Sequence, residues 1–186
     1  PESANIVLWL LGTRIPADAL SQLTAWTEQV RNADRVLKRP VLADVVALER
    51  TYSRHLDMTG VSRHVLHSTF GLKSYRNWLI ERRQFAQPGS FLWTWVQTEP
   101  VAKLVEDRRS AGLSPIVVEP EQLRLLVYSS LAAGYRGIGY WTLSTLESET
   151  PSGLERKLAL AQINMHLELL EPWLATSRLQ AQIPFS

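Results

Sequence analysis

Five short runs of aliphatic, aromatic and β-branched residues recur along this chain, separated by helical patterns. That order constrains the fold more than any single motif. The runs are 5–12 (NIVLWLLG), 40–45 (PVLADV), 63–68 (RHVLHS), 91–98 (FLWTWVQT) and 137–142 (GIGYWT). The first is almost continuously apolar, as in a strand covered on both faces. Strands joined by helical crossovers form a parallel sheet with right-handed connections. Two α/β architectures satisfy that order. One is a partial (β/α)8 TIM barrel comprising about its last five βα units, and the other is an open parallel α/β sheet.

The intervening segments carry helical signals. Pro16 opens a helix whose Ala19, Leu23, Trp26 and Val30 share one face. One or two turns cover 47–56. Tyr75, Trp78, Leu79, Arg82 and Phe85 trace a second long face, with Arg82 lying along it on its methylene stem. A short helix is expected around 102–109. Pro120 starts a helix with Leu123, Leu126, Val127 and Ser130 turned inward, and Gly134 ends it. The last helix, 155–174, is apolar around much of its circumference, which implies more than one packing neighbour.

No glycine-rich phosphate loop follows any strand. Gly134-Tyr-Arg-Gly137-Ile-Gly139 enters a strand instead of opening a helix, so it is a turn motif. This favours the barrel over a nucleotide-binding open sheet. An eight-stranded barrel typically needs about 250 residues. The 186 residues here hold about five units. The chain thus reads as the carboxyl-terminal part of a barrel over 1–178, with 179–186 an exit segment toward a following domain. Five strands leave an open edge at each side. The remaining barrel strands of a parent chain are therefore expected partners.

Composition narrows the function classes. The formal net charge is +2, and Arg82-Arg83 and Arg108-Arg109 are isolated pairs. They read as helix surface, and no nucleic-acid partner is expected. No apolar run approaches the ~18 residues that span a membrane, so no membrane partner is expected. The chain has no Cys, which excludes disulfides and thiolate metal sites and leaves the compartment unknown. The four histidines are scattered and make no helical metal-binding pair, so neither metal nor cofactor is expected.

The segment Phe91-Leu-Trp-Thr-Trp-Val-Gln-Thr-Glu99-Pro100 carries the sharpest functional hint. Pro88-Gly89 stops the preceding helix, the residues alternate as in a pleated strand, and Pro100 stops the strand. Glu99 therefore stands at the carboxyl end of a strand, where α/β folds do their chemistry. The competing reading is a solvated loop carboxylate.

Residues Glu121-Gln-Leu-Arg-Leu-Leu-Val-Tyr128, Leu131-Ala-Ala-Gly134 and Arg136-Gly-Ile-Gly-Tyr-Trp-Thr142 resemble the end of a clan A glycoside hydrolase, particularly the β-galactosidase-like barrels. The resemblance implies that 137–142 is the eighth strand and that its aromatic pair, Tyr140 and Trp141, floors a sugar subsite. It also implies that 91–98 is the seventh strand, which makes Glu99 the candidate nucleophile of a retaining glycosidase. The run 5–12 becomes the fourth strand, which in that family ends in a Trp-x-x-Gly-Asn-Glu-like motif holding the acid/base. This chain reads Trp9-Leu-Leu-Gly12-Thr13-Arg14, so Arg14 stands where the Glu belongs.

That departure matters physically. A retaining glycosidase needs two carboxyl groups about 5 Å apart. Arg14 is a permanent cation and cannot protonate a leaving group. On this alignment it faces Glu99 across the barrel. Asp44, Asp57 or a partner on the missing strands could substitute, or the fourth strand aligns differently from 5–12. His67, near a strand end, lines the sugar site or sits hydrogen-bonded in the core. Asp44 lines the site or acts as a cap. Trp93 and Trp95 share a side, one for the core and one for the site, with their order open.

Two functions follow from the resemblance. The domain hydrolyses O-glycosides at the strand ends, or it binds oligo- or polysaccharide, or serves as a scaffold, without catalysis.

Overall fold

The computed structural model describes residues 6–146 and 150–176. The expected exit segment, 179–186, lies outside the described residues. Five strands alternate with helices: β1 (Trp9–Leu10), α1 (Leu20–Ala33), β2 (Val41–Asp44), α2 (Glu49–Tyr52), β3 (Met58–Ser62), α3 (Leu72–Phe85), β4 (Phe91–Gln97), α4 (Ala102–Ser110), α5 (Pro120–Ala132), β5 (Gly137–Trp141) and α6 (Pro151–Thr176). All neighbouring strands pair in parallel, in the order β1-β2-β3-β4-β5. The sheet is a curled half-barrel with its helices in alternation.

The third strand does not fall at 63–68. It is Met58–Ser62, and 63–68 is the loop beyond it. Gly60 decides the placement: a Cβ there would stand 3.0 Å from the Asp44 Cα, so β2 and β3 approach closely only at this residue. The small, polar Met-Thr-Gly-Val-Ser run hides its strand character, and the richer RHVLHS run imitates it. The first strand is also shorter than 5–12. Its ladder stops at Leu10 and resumes as an isolated bridge between Ile15 and Val45.

Strand alternation divides the sheet into two faces. Val41, Ala43, Val61, Leu92 and Val96 join the core beneath the helices. Leu23 of α1, Tyr75 and Leu79 of α3, Leu123, Leu126 and Val127 of α5, and Ile163 of α6 complete that core. The inward face of α5 is the expected one, and its start is fixed by Pro120 and a capping box between Glu119 and Gln122. Trp26 of α1 and Phe85 of α3 are exposed, so each expected face is narrower than its apolar spacing suggests. Thr27 takes the inward place beside Leu23, its hydroxyl satisfied by the Leu23 carbonyl. Arg82 does not simply lie along α3. Its guanidinium pairs with the buried Glu49 and donates to the Val46 carbonyl, tying α3 to the loop after β2.

The inner face is built by large-to-small pairing across strands. Register sets Gly60 and Gly137 on either side of Trp93, and Ser62 and Gly139 on either side of Trp95. A Cβ on Gly137 would stand 2.2 Å from the Trp93 ring, and one on Gly139 would stand 2.4 Å from the Trp95 ring. The two indoles meet edge to face at 5.8 Å. Their glycine neighbours leave the room in which the rings lie across the adjacent strand.

Helix α6 packs along α5 by Ala159, Leu160 and Ile163. Its other face leaves Leu154, Leu158, Met165, Leu169 and Trp173 exposed. Helix α6 thus has more than one neighbour, since Asn164 meets Tyr140 of β5 and Arg156 meets Glu99 beyond β4, while its outer face stays uncovered. No helix of the described residues is long and apolar enough to cross a membrane.

The interlock makes a direct prediction. Gly139→Ala overpacks the Trp95 contact and should cost about 1–3 kcal/mol in urea unfolding. Combining it with Trp95→Leu should recover part of that loss, because the obstructing ring is gone. A Gly139→Ala chain as stable as wild type would show that Trp95 can move aside freely.

Candidate functional site

A cleft of about 230 Å³ opens at the carboxyl ends of the strands, on the inner face of the half-barrel. Its size suits a ligand of one ring more than the about 300–1,000 Å³ typical of drug-sized ligand sites. Leu10, Thr13 and Arg14 form one wall, Asp44, Ser62 and His64 the floor, and Trp95, Tyr140, Trp141 and Thr142 the other wall.

The floor comes from β2 and the end of β3. Asp44 is the last residue of β2 and is 1% exposed. The Ser62 hydroxyl donates to its Oδ2 at 2.6 Å. Its Oδ1 is buried without a hydrogen-bond partner. Burial pushes the carboxyl above its ordinary 3.8, and the Ser62 hydrogen bond and the nearby Arg14 charge only partly offset this. His64 follows β3 and stacks, tilted, on Trp141 with ring centroids 4.1 Å apart. Burial and the nearby Arg14 both push its pKa down, favouring the neutral imidazole.

Arg14 sits on a bulge. The Ile15 amide donates to the Asp44 carbonyl at 2.8 Å, and the Asp44 amide donates to the Gly12 carbonyl at 3.0 Å. Thr13 and Arg14 are therefore looped out of the ladder, with Arg14 at φ 55°. Left-handed backbone at a non-glycine residue costs about 1 kcal/mol or more and is held by its surroundings.

The expected site residues are only partly brought together. Asp44, Arg14, Trp95 and Trp141 share the cleft. Tyr140 lines it as well, although neighbouring strand residues face opposite ways, so it reaches the cleft from the side while Trp141 lies on the inner face. The Tyr140 hydroxyl donates to Asn164 of α6 at 2.7 Å, on the helix side. His67 lies exposed in the loop after β3 at φ 58°, and His64 is the histidine of the cleft. Asp57 stands at the opposite end of the sheet, before β3, where it pairs with Arg31 and accepts from the Val41 amide. Ser62 and His64 escaped the sequence reading because the third strand was set too late. Counting two and four residues on from Gly60 finds both.

Glu99 stands just past β4, as its spacing predicts, but it faces a second pocket behind the cleft, beside Pro100, Ser152 and Arg156. Arg14 is not its counter-ion. Arg156 of α6 is, with side-chain exposures of 6% for Arg156 and 18% for Glu99. The Thr142 hydroxyl and the Leu143 and Ser144 amides donate to Oε2, and the Ser144 hydroxyl donates to Oε1. Burial opposes ionisation of Glu99. Hydrogen bonds from Ser144, Leu143 and Thr142 outweigh it and bring its pKa from 4.5 to about 2. Both carboxylate oxygens are thus committed to the turn after β5.

Two titrations separate these carboxylates. The folded pKa of Glu99 is lowered, so its stabilisation is complete above 4.5 and disappears as pH falls through about 2. Glu99→Gln should cost about 3 kcal/mol near neutral pH, as for a broken buried pair, and converge on wild type near pH 2. Urea midpoints against pH test this. A gap that does not close on acidification would refute the ion-pair account. Asp44 has the opposite sign: its stabilisation is present below 3.8 and is lost as pH rises through the raised folded value. Asp44→Asn should therefore melt increasingly above wild type as pH rises from about 3 to about 7. A constant difference in melting temperature would mean that Asp44 titrates as in an unfolded chain.

No family model matches this chain, and no curated protein matches it significantly in sequence. Among solved structures, it is similar to one described as "a putative alpha-L-fucosidase" from Bacteroides thetaiotaomicron, with a TM-score of 0.57 and 12% identity. The match covers 86% of this chain and 54% of that one, so the chain spans about half the length of its neighbour. The likeness is one of fold. It agrees with the partial α/β barrel expected from the strand order, and it singles out no one family.

Proposed function

We propose that the cleft binds a carbohydrate and that the domain is a glycan-binding, glycoside-hydrolase-like barrel without the usual retaining carboxylate pair. The observation that carries this reading is the pairing of an aromatic wall with a partly unsatisfied polar floor. Trp141 and Trp95 present ring surface, and Asp44 leaves a buried oxygen without a partner. A pyranose has the matching anatomy. Its C–H face is attracted to the negative face of an indole, and its hydroxyls satisfy buried polar atoms. The fold shared with a protein described as a fucosidase supports a sugar as the ligand class.

The non-catalytic reading rests on Glu99. A nucleophile must reach an anomeric carbon in the cleft. Glu99 spends its oxygens on Arg156 and the 142–144 turn. A second reading, hydrolysis, is favoured by one observation: the Asp44 carboxyl is raised and so suits a general acid. It then needs a base supplied from outside the cleft.

The deciding experiment pairs oligosaccharide binding with aryl glycoside cleavage on the same protein. Binding without cleavage is expected. Trp141→Ala should weaken binding at least about tenfold, roughly 1.4 kcal/mol, through loss of stacking. Cleavage that disappears in Asp44→Asn while binding persists would move the assignment to the hydrolytic reading. No binding to any sugar, with the fold intact by circular dichroism, would remove both.

A further inference from the structure

The cleft carries one charge that the carbohydrate reading leaves unused. Arg14 lines it and forms no ion pair with any carboxylate among the described residues. The bulge that presents it is pinned on both sides by backbone hydrogen bonds between Gly12, Asp44 and Ile15. The guanidinium is thus brought to the mouth of a concave site by a strained backbone held in place, unlike a side chain swinging from a surface helix.

Arg14 and Asp44 feel each other's charge across the cleft, but they form no salt bridge, so the guanidinium's donors are not taken up by that carboxyl. Asp44 is the one carboxylate among the lining residues, and burial drives it toward its neutral form. His64 is driven toward the neutral imidazole, so it adds no second cation. Glu99 is engaged behind the wall by Arg156. What remains is an exposed cation lining the same cleft as Trp141, where a concave surface focuses its field on a bound ligand. Guanidinium is a planar fork of donors that matches a carboxylate in two parallel hydrogen bonds, and it also accepts sulfate-like oxygens. A neutral sugar would leave that fork unanswered.

We propose that the sugar taken by this cleft is an acidic one, whose anionic group is gripped by Arg14 while its ring lies against Trp141. The inference rests on the carbohydrate-binding reading and narrows it to a substrate class. The anion is a uronate carboxylate or a sulfate ester, and the two share the recognising chemistry.

The test is titration calorimetry of the purified chain with three probes: tetragalacturonate, the same oligomer after carboxyl reduction, and a sulfated tetrasaccharide. At least one anionic probe should bind about tenfold or more tightly than the reduced oligomer, and which one does so identifies the anion. Raising salt from about 0.05 M to about 0.5 M should erode that advantage. Arg14→Gln should abolish the preference, bringing the anionic probes to the affinity that the same variant shows for the reduced oligomer. Arg14→Lys, which keeps the charge and loses the fork, should retain part of it. Melting curves of both variants establish that they fold. If the reduced oligomer binds as well as the anionic probes, or Arg14→Gln keeps the preference, the acidic-sugar inference fails and the carbohydrate reading stands. If none of the three binds while a neutral glycan of another class does, the inference fails in the same way. If no sugar binds at all, both fail.

Discussion

Everything at the carboxyl-terminal rim depends on two indoles lying across glycines. Trp93 and Trp95 are wide, and a parallel sheet sets its strands about 4.8 Å apart. Each ring must therefore overhang a neighbouring strand. Gly137 and Gly139 supply the space on one side, and Gly60 and Ser62 keep the other side small. A one-residue slip would place Ile138 and Tyr140 beneath the rings. The register of β3, β4 and β5 is thus specified by shape as well as by hydrogen bonds. Once it is fixed, Gln97 and Trp141 stand side by side at the strand ends. Gln97 then joins two loops, accepting from the Leu66 amide at 3.0 Å and donating to the Glu99 carbonyl at 2.9 Å.

The same rim shows how a strand-end carboxylate can be functional in position and structural in action. Glu99 draws the Thr142 hydroxyl, two backbone amides and the Ser144 hydroxyl onto one group, and Arg156 anchors that group to α6. Arg156 also donates to the Thr145 carbonyl and the Ser144 hydroxyl. The turn after β5 is therefore held by a charged knot in place of an apolar one. Thr142 belongs both to this knot and to the cleft wall. Glu99 acts on the cleft from behind, by fixing the wall that carries Trp141.

The fold was legible where the sequence signal came from packing, and illegible where it came from chain geometry. Parallel order, the α5 face and the long β4 strand follow from apolar spacing and from Pro and Gly punctuation, which are local. The third strand defeated the same reasoning because its decisive residue is Gly60, whose role is set by a contact with Asp44 of another strand. That error carried His67 into the expected site and left His64 out. The site was legible in Asp44, Trp95, Trp141 and Arg14. Tyr140 lines the cleft too, while its hydroxyl is tied to Asn164 on the helix side, because strand alternation turns it away from Trp141. The Glu99–Arg156 pair joins residues 57 positions apart, and no spacing rule reaches that far.

The cleft and the knot together divide the charges of the rim into two compartments. Behind the wall, a carboxylate and a guanidinium neutralise each other and are consumed in holding structure. In front of it, a carboxyl is suppressed by burial and a guanidinium is left without an ionic partner. Had Arg156 been apolar, Glu99 would have lost its counter-ion and gained reason to turn toward water and the cleft. One arginine on α6 thus holds Glu99, and with it the turn that carries Thr142, while lining no part of the cleft itself.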